Sequence, residues 1–165
     1  MGLGSKIRHF FSIRTTEDFI NQSIKELLKK FTKNLIAIDL GCGEGNYVVN
    51  SKFKDYISKV SLVDLFNKPT REIMNNSKTE FFSTDVLSFL KSRESKSVHF
   101  ILAKDILEHI SESDSEIFIE ECHRILCPKG ILLIQIPNGS SPFGLRNFNN
   151  DVTHIQFLGH KSLEF

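Results

Sequence analysis

Apolar residues recur at helical spacing between residues 15 and 31, at Phe19, Ile20, Ile24, Leu27, Leu28 and Phe31, which predicts an amphipathic helix. Thr15 and Thr16 precede it as N-cap candidates, with Glu17 and Asp18 in the first turn, where the helix dipole favours negative charge. The period then changes. Residues 35–40, Leu35-Ile36-Ala37-Ile38-Asp39-Leu40, form a continuous apolar run that ends in glycines, as expected of a strand buried on both faces of a parallel sheet. This run is predicted to be the central strand.

The alternation repeats along the rest of the chain. Further strands are predicted at residues 60–63, 80–82, 97–102 and 131–136, and helices at 70–75, 86–91 and 113–126. A series of strand–helix–strand units is the economical reading. Cys127-Pro128-Lys129-Gly130 reads as the stop of the last of these helices and the turn into the fifth strand. Beyond Pro137, residues 138–144 read as loop.

A length of 165 residues with 40% hydrophobic and 25% charged content suits one domain with a substantial core. Its divisions are an N-terminal helical segment (1–33), a core (34–136) and a closing loop that leads into a C-terminal helix (137–165). A net charge of +1 with mixed signs leaves no electrostatic footprint for nucleic acid. Cys42, Cys122 and Cys127 are an odd set, and residues 1–11 lack a signal-peptide pattern, so a reduced cytoplasmic protein is expected. Cys122, His123 and Cys127 have poor zinc spacing, and no metal is expected there. The start Met1-Gly2-Leu3-Gly4-Ser5-Lys6 puts Lys6 where a myristoylation signal needs Ser or Thr. The longest apolar run, residues 130–136, is too short to span a bilayer.

Between the first strand and its helix lies Asp39-Leu40-Gly41-Cys42-Gly43-Glu44-Gly45. Bare backbone in such a turn lets a ligand approach the helix N-terminus. A dinucleotide fingerprint needs a sixth-position glycine, and Asn46 stands there instead; no phosphate loop with Gly-Lys-Ser or Gly-Lys-Thr is present. The segment does resemble the first motif of class I S-adenosylmethionine-dependent methyltransferases, an acid at a strand end followed by Gly-x-Gly-x-Gly.

That resemblance covers roughly residues 34–136 and implies an α/β fold, a Rossmann-like doubly wound sheet ordered 3-2-1-4-5, with S-adenosyl-L-methionine as cofactor. It implies that Gly41, Cys42, Gly43 and Gly45 receive the methionine part while Asp39 attracts its ammonium. Asp64, about twenty residues on, would bond the ribose hydroxyls. Asp85 would sit near the adenine amino group, with Leu65 and Val86 flanking the ring, and Ala103, just past the fourth strand, would also contact the cofactor. Asp64 also reads as a turn former and Asp85 as a helix N-cap. Residues 101–110 look like the family's fourth motif, here with Leu107-Glu108-His109. Leu126-Cys127-Pro128-Lys129-Gly130 resembles its Leu-x-Pro-Gly-Gly turn, Lys129 replacing a glycine.

An oxygen acceptor needs its proton removed, and His109, Asp151, His154 and His160 are the candidates. The stretch 150–157, with Asp151-Val152-Thr153-His154, resembles methyltransferases of polysaccharide clusters. It implies a sugar, glycan or other small-molecule hydroxyl as acceptor, His154 as base, and Asp151 or His109 orienting it. His154 also reads as a structural loop histidine, and His109 as a cap or pocket-wall residue. A magnesium site needs several acids near the ends of the fourth and fifth strands, where only Asp105 and Asn138 qualify, so no metal is expected. The family usually adds two more strands over the fifth. Without them residues 131–136 form an apolar edge that invites self-association or a partner chain, and a non-catalytic or truncated binding module is the alternative to an enzyme.

Overall fold

The computed structural model describes residues 15–31, 33–142 and 144–159. His160, the pattern at residues 1–11 and the last residues of the expected C-terminal helix lie outside them. Helix α1 spans Thr16–Leu28, and Thr15 caps it in a capping box with Asp18, as the threonine–acid spacing predicts. Its inward stripe, Ile20, Ile24 and Leu27, is fully buried.

Strands β1 (Leu35–Leu40), β2 (Ile57–Val63), β3 (Thr79–Phe82), β4 (Val98–Lys104) and β5 (Leu126–Gln135) form one parallel sheet. Its order is β3-β2-β1-β4-β5, as expected. β1 is central, which explains its unbroken apolar run: Ala37, Leu40 and their neighbours are covered from both faces. One face packs under α1 through Ile24, Val60, Phe100 and Leu102. The other packs through Ile38, Val63, Ile101 and Phe118 under α4 (Val86–Lys91) and α5 (Glu112–Ile125), the latter capped by Ser111. Two short helices, α2 (Asn46–Val49) and α3 (Arg71–Met74), complete the crossovers.

Three differences from the sequence expectation go beyond a residue or two at an element's end. β2 begins three residues earlier, because Ile57 is buried beside Leu35. The turn at Cys127–Gly130 is absorbed into β5: Leu126 pairs Val98 and Ile131 pairs Phe100, so an irregularity, not a separate loop, takes up the extra residues. Lys129 there has φ +72, the left-handed conformation that a glycine would adopt without a Cβ clash. Finally, a short helix α6 (Gly144–Asn149) begins at the last residue of the expected loop 138–144, within the segment expected to lead into a C-terminal helix.

β5 is the sheet edge, paired with β4 alone among the described residues, and the side of it that α1 approaches carries a Thr16–Gln135 side-chain hydrogen bond. Residues 130–135 are half-buried, not fully open. No helix among the described residues is long and apolar enough to cross a membrane.

Candidate functional site

The glycines after β1 all sit at positive φ: Gly41 at +64, Gly43 at +53 and Gly45 at +81. Hydrogen bonds hold the turn that results. The Cys42 amide donates to Val63 O at 3.0 Å, and the Gly45 amide to Cys42 O at 2.8 Å. The Gly43 amide donates to Asp64 Oδ2 at 2.9 Å. The other Asp64 oxygen accepts from the amides of Phe66 and Asn67, at 2.9 and 2.7 Å. Asp64 is therefore the turn former that sequence suggested, and it also ties the glycine loop to the end of β2. A Cβ on Gly43 would meet nothing within 4 Å, whereas one on Gly45 would meet Ile73, Leu62 and Pro69 at 3.0–3.2 Å.

This loop walls a cavity of about 860 Å³ at the carboxyl ends of the strands, where open parallel sheets bind ligands. Of the expected cofactor residues, Gly41, Cys42, Gly43, Asp64, Leu65, Asp85 and Val86 line it. Asp39, Gly45 and Ala103 do not. Gly45 is packed behind the loop, and Ala103, paired with Leu40 and Ile134, is fully buried inside the sheet. Asp85 lines the cavity and is also the N-cap that sequence suggested: its carboxylate caps α4 by accepting from the Ser88 amide at 2.8 Å, which lowers its pKa.

Asp39 is 1% exposed and its Oδ2 has no hydrogen-bond partner. Burial pushes its pKa up to about 7, with the Val48 amide and Lys104 opposing and Asp64 assisting. Burial, then the charges of Asp39 and Asp64, push the Cys42 thiol to about 12, so it is inert at neutral pH.

The opposite wall is built by the chain after β4. Asp105, at φ +53, donates its amide to Gln135 O at 2.9 Å and pairs with Lys104. A single 3-10 turn, Leu107–His109, follows. The Ile155 and Gln156 amides donate to Glu108 O at 2.8 and 3.1 Å, and the Gln156 side chain donates to Ser115 Oγ at 2.9 Å. These bonds staple residues 153–156 against the 3-10 turn.

The three candidate catalytic residues are brought together by this staple, although at different depths. His109 and Asp151 line the cavity. His154 does not: it is set behind, with its ring 4.8 Å from that of His109 and its Nε2 3.9 Å from Asp151 Oδ2. Hydrogen bonds from Thr153 hold the Asp151 carboxyl below its usual range. Sequence reasoning assigned no role to Glu108, which is 3% exposed with neither carboxylate oxygen partnered. Burial, reinforced by Asp105, raises its pKa. Its one signal was its place in the Leu107-Glu108-His109 motif. Tyr47, Phe66, Lys104 and Thr153 also line the cavity without having been singled out for it.

Solved structures with the same fold include a SAM-dependent methyltransferase from Archaeoglobus fulgidus, with TM-score 0.68 and 19% identity over 99% of this chain and 72% of that one. A second is the 1,6-didemethyltoxoflavin-N1-methyltransferase of Burkholderia thailandensis, with TM-score 0.54 and 17% identity over 72% of this chain and 52% of that one. A third is the N-methyltransferase NodS from Bradyrhizobium japonicum WM9, with TM-score 0.55 and 15% identity over 71% of this chain and 65% of that one. The chain thus spans less than two thirds of the latter two. No curated protein matches it by sequence. The family profile described as a methyltransferase domain matches residues 12–164, and the chain belongs to that family.

Proposed function

We propose that this chain methylates the hydroxyl of a sugar, glycan or other small molecule, with S-adenosyl-L-methionine as the methyl donor. Family membership makes methyl transfer the reaction class and favours an enzyme over a non-catalytic binding module. The observation that carries the reading is the opposition of two walls across one cavity: the glycine loop with Asp64 and Asp85 on one side, His109 and Asp151 on the other.

The residues present fit the cofactor. Open space stands over Gly43, where a side chain would otherwise intrude, and Asp39 keeps one buried oxygen without a partner. Gly41 and Gly43 would hold the methionine part, Asp64 the ribose, and Asp85, Leu65 and Val86 the adenine. When bound, the cofactor supplies a methyl group already activated on a sulfonium. The chain's own work is then to align the acceptor oxygen, exclude water and take up its proton. His109, which lines the cavity, would take up that proton. Asp151 faces the same cavity, and His154 braces both from behind.

The acceptor class has separate support. The Burkholderia N1-methyltransferase structure holds bound 1,6-didemethyltoxoflavin together with S-adenosylhomocysteine, which supports a small-molecule acceptor, while the choice of a hydroxyl rests on the Asp151–His154 stretch, which resembles polysaccharide-cluster enzymes. Self-association through β5 fits its position at the sheet edge.

The loop assignment is tested by two alanine variants. Both Gly43→Ala and Gly45→Ala place a side chain at positive φ, at about 1–2 kcal/mol each. Gly45→Ala adds contacts at 3.0–3.2 Å and is expected to lose a further ~1–3 kcal/mol of stability by urea denaturation. Gly43→Ala is expected to weaken S-adenosylhomocysteine binding in calorimetry more than it weakens the fold. Equal affinity in Gly43→Ala and wild type removes the loop from the cofactor site. Transfer of labelled methyl to hydroxyl-bearing sugars tests the acceptor, and labelling of amine acceptors alone would refute the hydroxyl reading.

A further inference from the structure

We infer that Glu108, His109 and His154 form a binding site for a divalent transition metal of the zinc class, at the acceptor end of the cavity. Their donor atoms, one from each residue, all lie within 4.8 Å of one another. A tetrahedral ion with bonds of about 2.0–2.1 Å sets its donors roughly 3.4 Å apart. Modest side-chain rotations therefore close the three onto one ion.

Three observations point the same way. First, the Glu108 carboxylate is 3% exposed and both its oxygens lack a partner. A buried carboxylate with no hydrogen bond is costly, and such groups in folded proteins are paired or coordinate metals. Second, each histidine has its Nδ1 engaged. His154 Nδ1 is 3.2 Å from Phe148 O. His109 Nδ1 is 3.3 Å from Thr153 O and 3.0 Å from its Oγ1. An Nδ1–H that donates to a backbone carbonyl leaves the lone pair on Nε2, which is how protein histidines are oriented toward metals. Third, the amides of Ile155 and Gln156 on Glu108 O lock the His154 segment to the Glu108–His109 turn. The ligands are thus held together before any ion arrives.

Two imidazoles and one carboxylate suit zinc, and also iron or manganese, better than magnesium, which prefers an all-oxygen shell with several waters. Three protein ligands leave one position open; Glu108 and His154 line a small neighbouring pocket, and His109, which lines the cavity, is the ligand that would turn the open position toward it. The role of that position rests on the methyl-transfer reading. An acceptor hydroxyl coordinated there would release its proton to water more readily than in free solution, and His109 would then act as a ligand and not as a free base. The expectation of no metal came from counting acids near the strand ends. It missed a carboxylate and a histidine far apart in sequence.

Full-length protein stripped with chelator is dialysed against Zn2+, or against Mg2+ as a contrast, and its metal content measured. One Zn2+ per chain is expected, undisturbed by Mg2+. Glu108→Gln and His154→Gln are each expected to weaken Zn2+ binding by more than about tenfold, while His123→Gln, on the exposed side of α5, leaves it unchanged. S-adenosylhomocysteine affinity, measured on the same samples, is expected to survive both ligand substitutions, showing that the fold is intact. The site is overturned by the absence of stoichiometric Zn2+ in the wild type, by its retention in Glu108→Gln, or by its loss in His123→Gln. Failure of S-adenosylhomocysteine to bind the wild type would instead strike the methyltransferase reading and leave the zinc result standing.

Discussion

Replacing Asp39 with Asn raises the stability of the ligand-free chain at pH 8 by on the order of 4 kcal/mol relative to wild type, and by little near pH 4. The sign follows from burial, which lifts the folded-state pKa from 3.8 to about 7. Between those values the folded chain keeps a proton that the unfolded chain has shed. Wild-type stability therefore falls as pH rises through that window, with no further loss above it. The asparagine variant carries no charge and lacks this dependence. Urea denaturation of both proteins at several pH values measures the difference, and parallel pH profiles would refute it. Total stabilities of small domains run about 5–15 kcal/mol, so a change of that size is readily measured. The same variant is expected to bind S-adenosylmethionine more weakly. Opposite changes in stability and affinity are the mark of a carboxylate retained for a ligand.

His109→Ala is expected to lower turnover by about 10²–10⁴-fold, the range of a positioned proton-transfer group, with S-adenosylhomocysteine affinity unchanged. His109 lines the cavity and His154 does not, so the proposed function gives His109 the direct role, and His154→Ala is expected to act through the placement of His109 and Glu108. Steady-state rates with labelled donor measure both. Turnover of His109→Ala close to wild type would remove His109 from the chemistry. Intact turnover in His154→Ala would remove His154 from its support.

The elements whose burial is symmetric were the legible ones. β1 is covered on both faces, so its whole length reads as apolar. α1 and α5 bury one stripe each, at helical period, and the cap candidate Thr15 stands at the start of α1. The local readings of Asp64 as a turn former and Asp85 as a helix cap were legible because each follows a strand and bonds the amides just after it, and both side chains line the cavity. β5 was misjudged at its start because pairing with β4 drew Leu126 into the ladder despite the proline and glycine beyond it.

The acceptor wall obeyed different rules. By itself the sequence determined the strand–helix alternation, the glycine loop and the acids that follow successive strands, because period, caps and short turns are properties of neighbouring residues. Only the tertiary structure decided that Asp39 stands behind the loop, that His154 stands behind His109, and that Glu108 is buried beside both without a hydrogen-bond partner. The placements of His154 and Glu108 come from backbone bonds between segments distant in the chain, Ile155 and Gln156 onto Glu108 above all. Such bonds leave no period and no composition signal, because a backbone amide is the same in every residue that donates one.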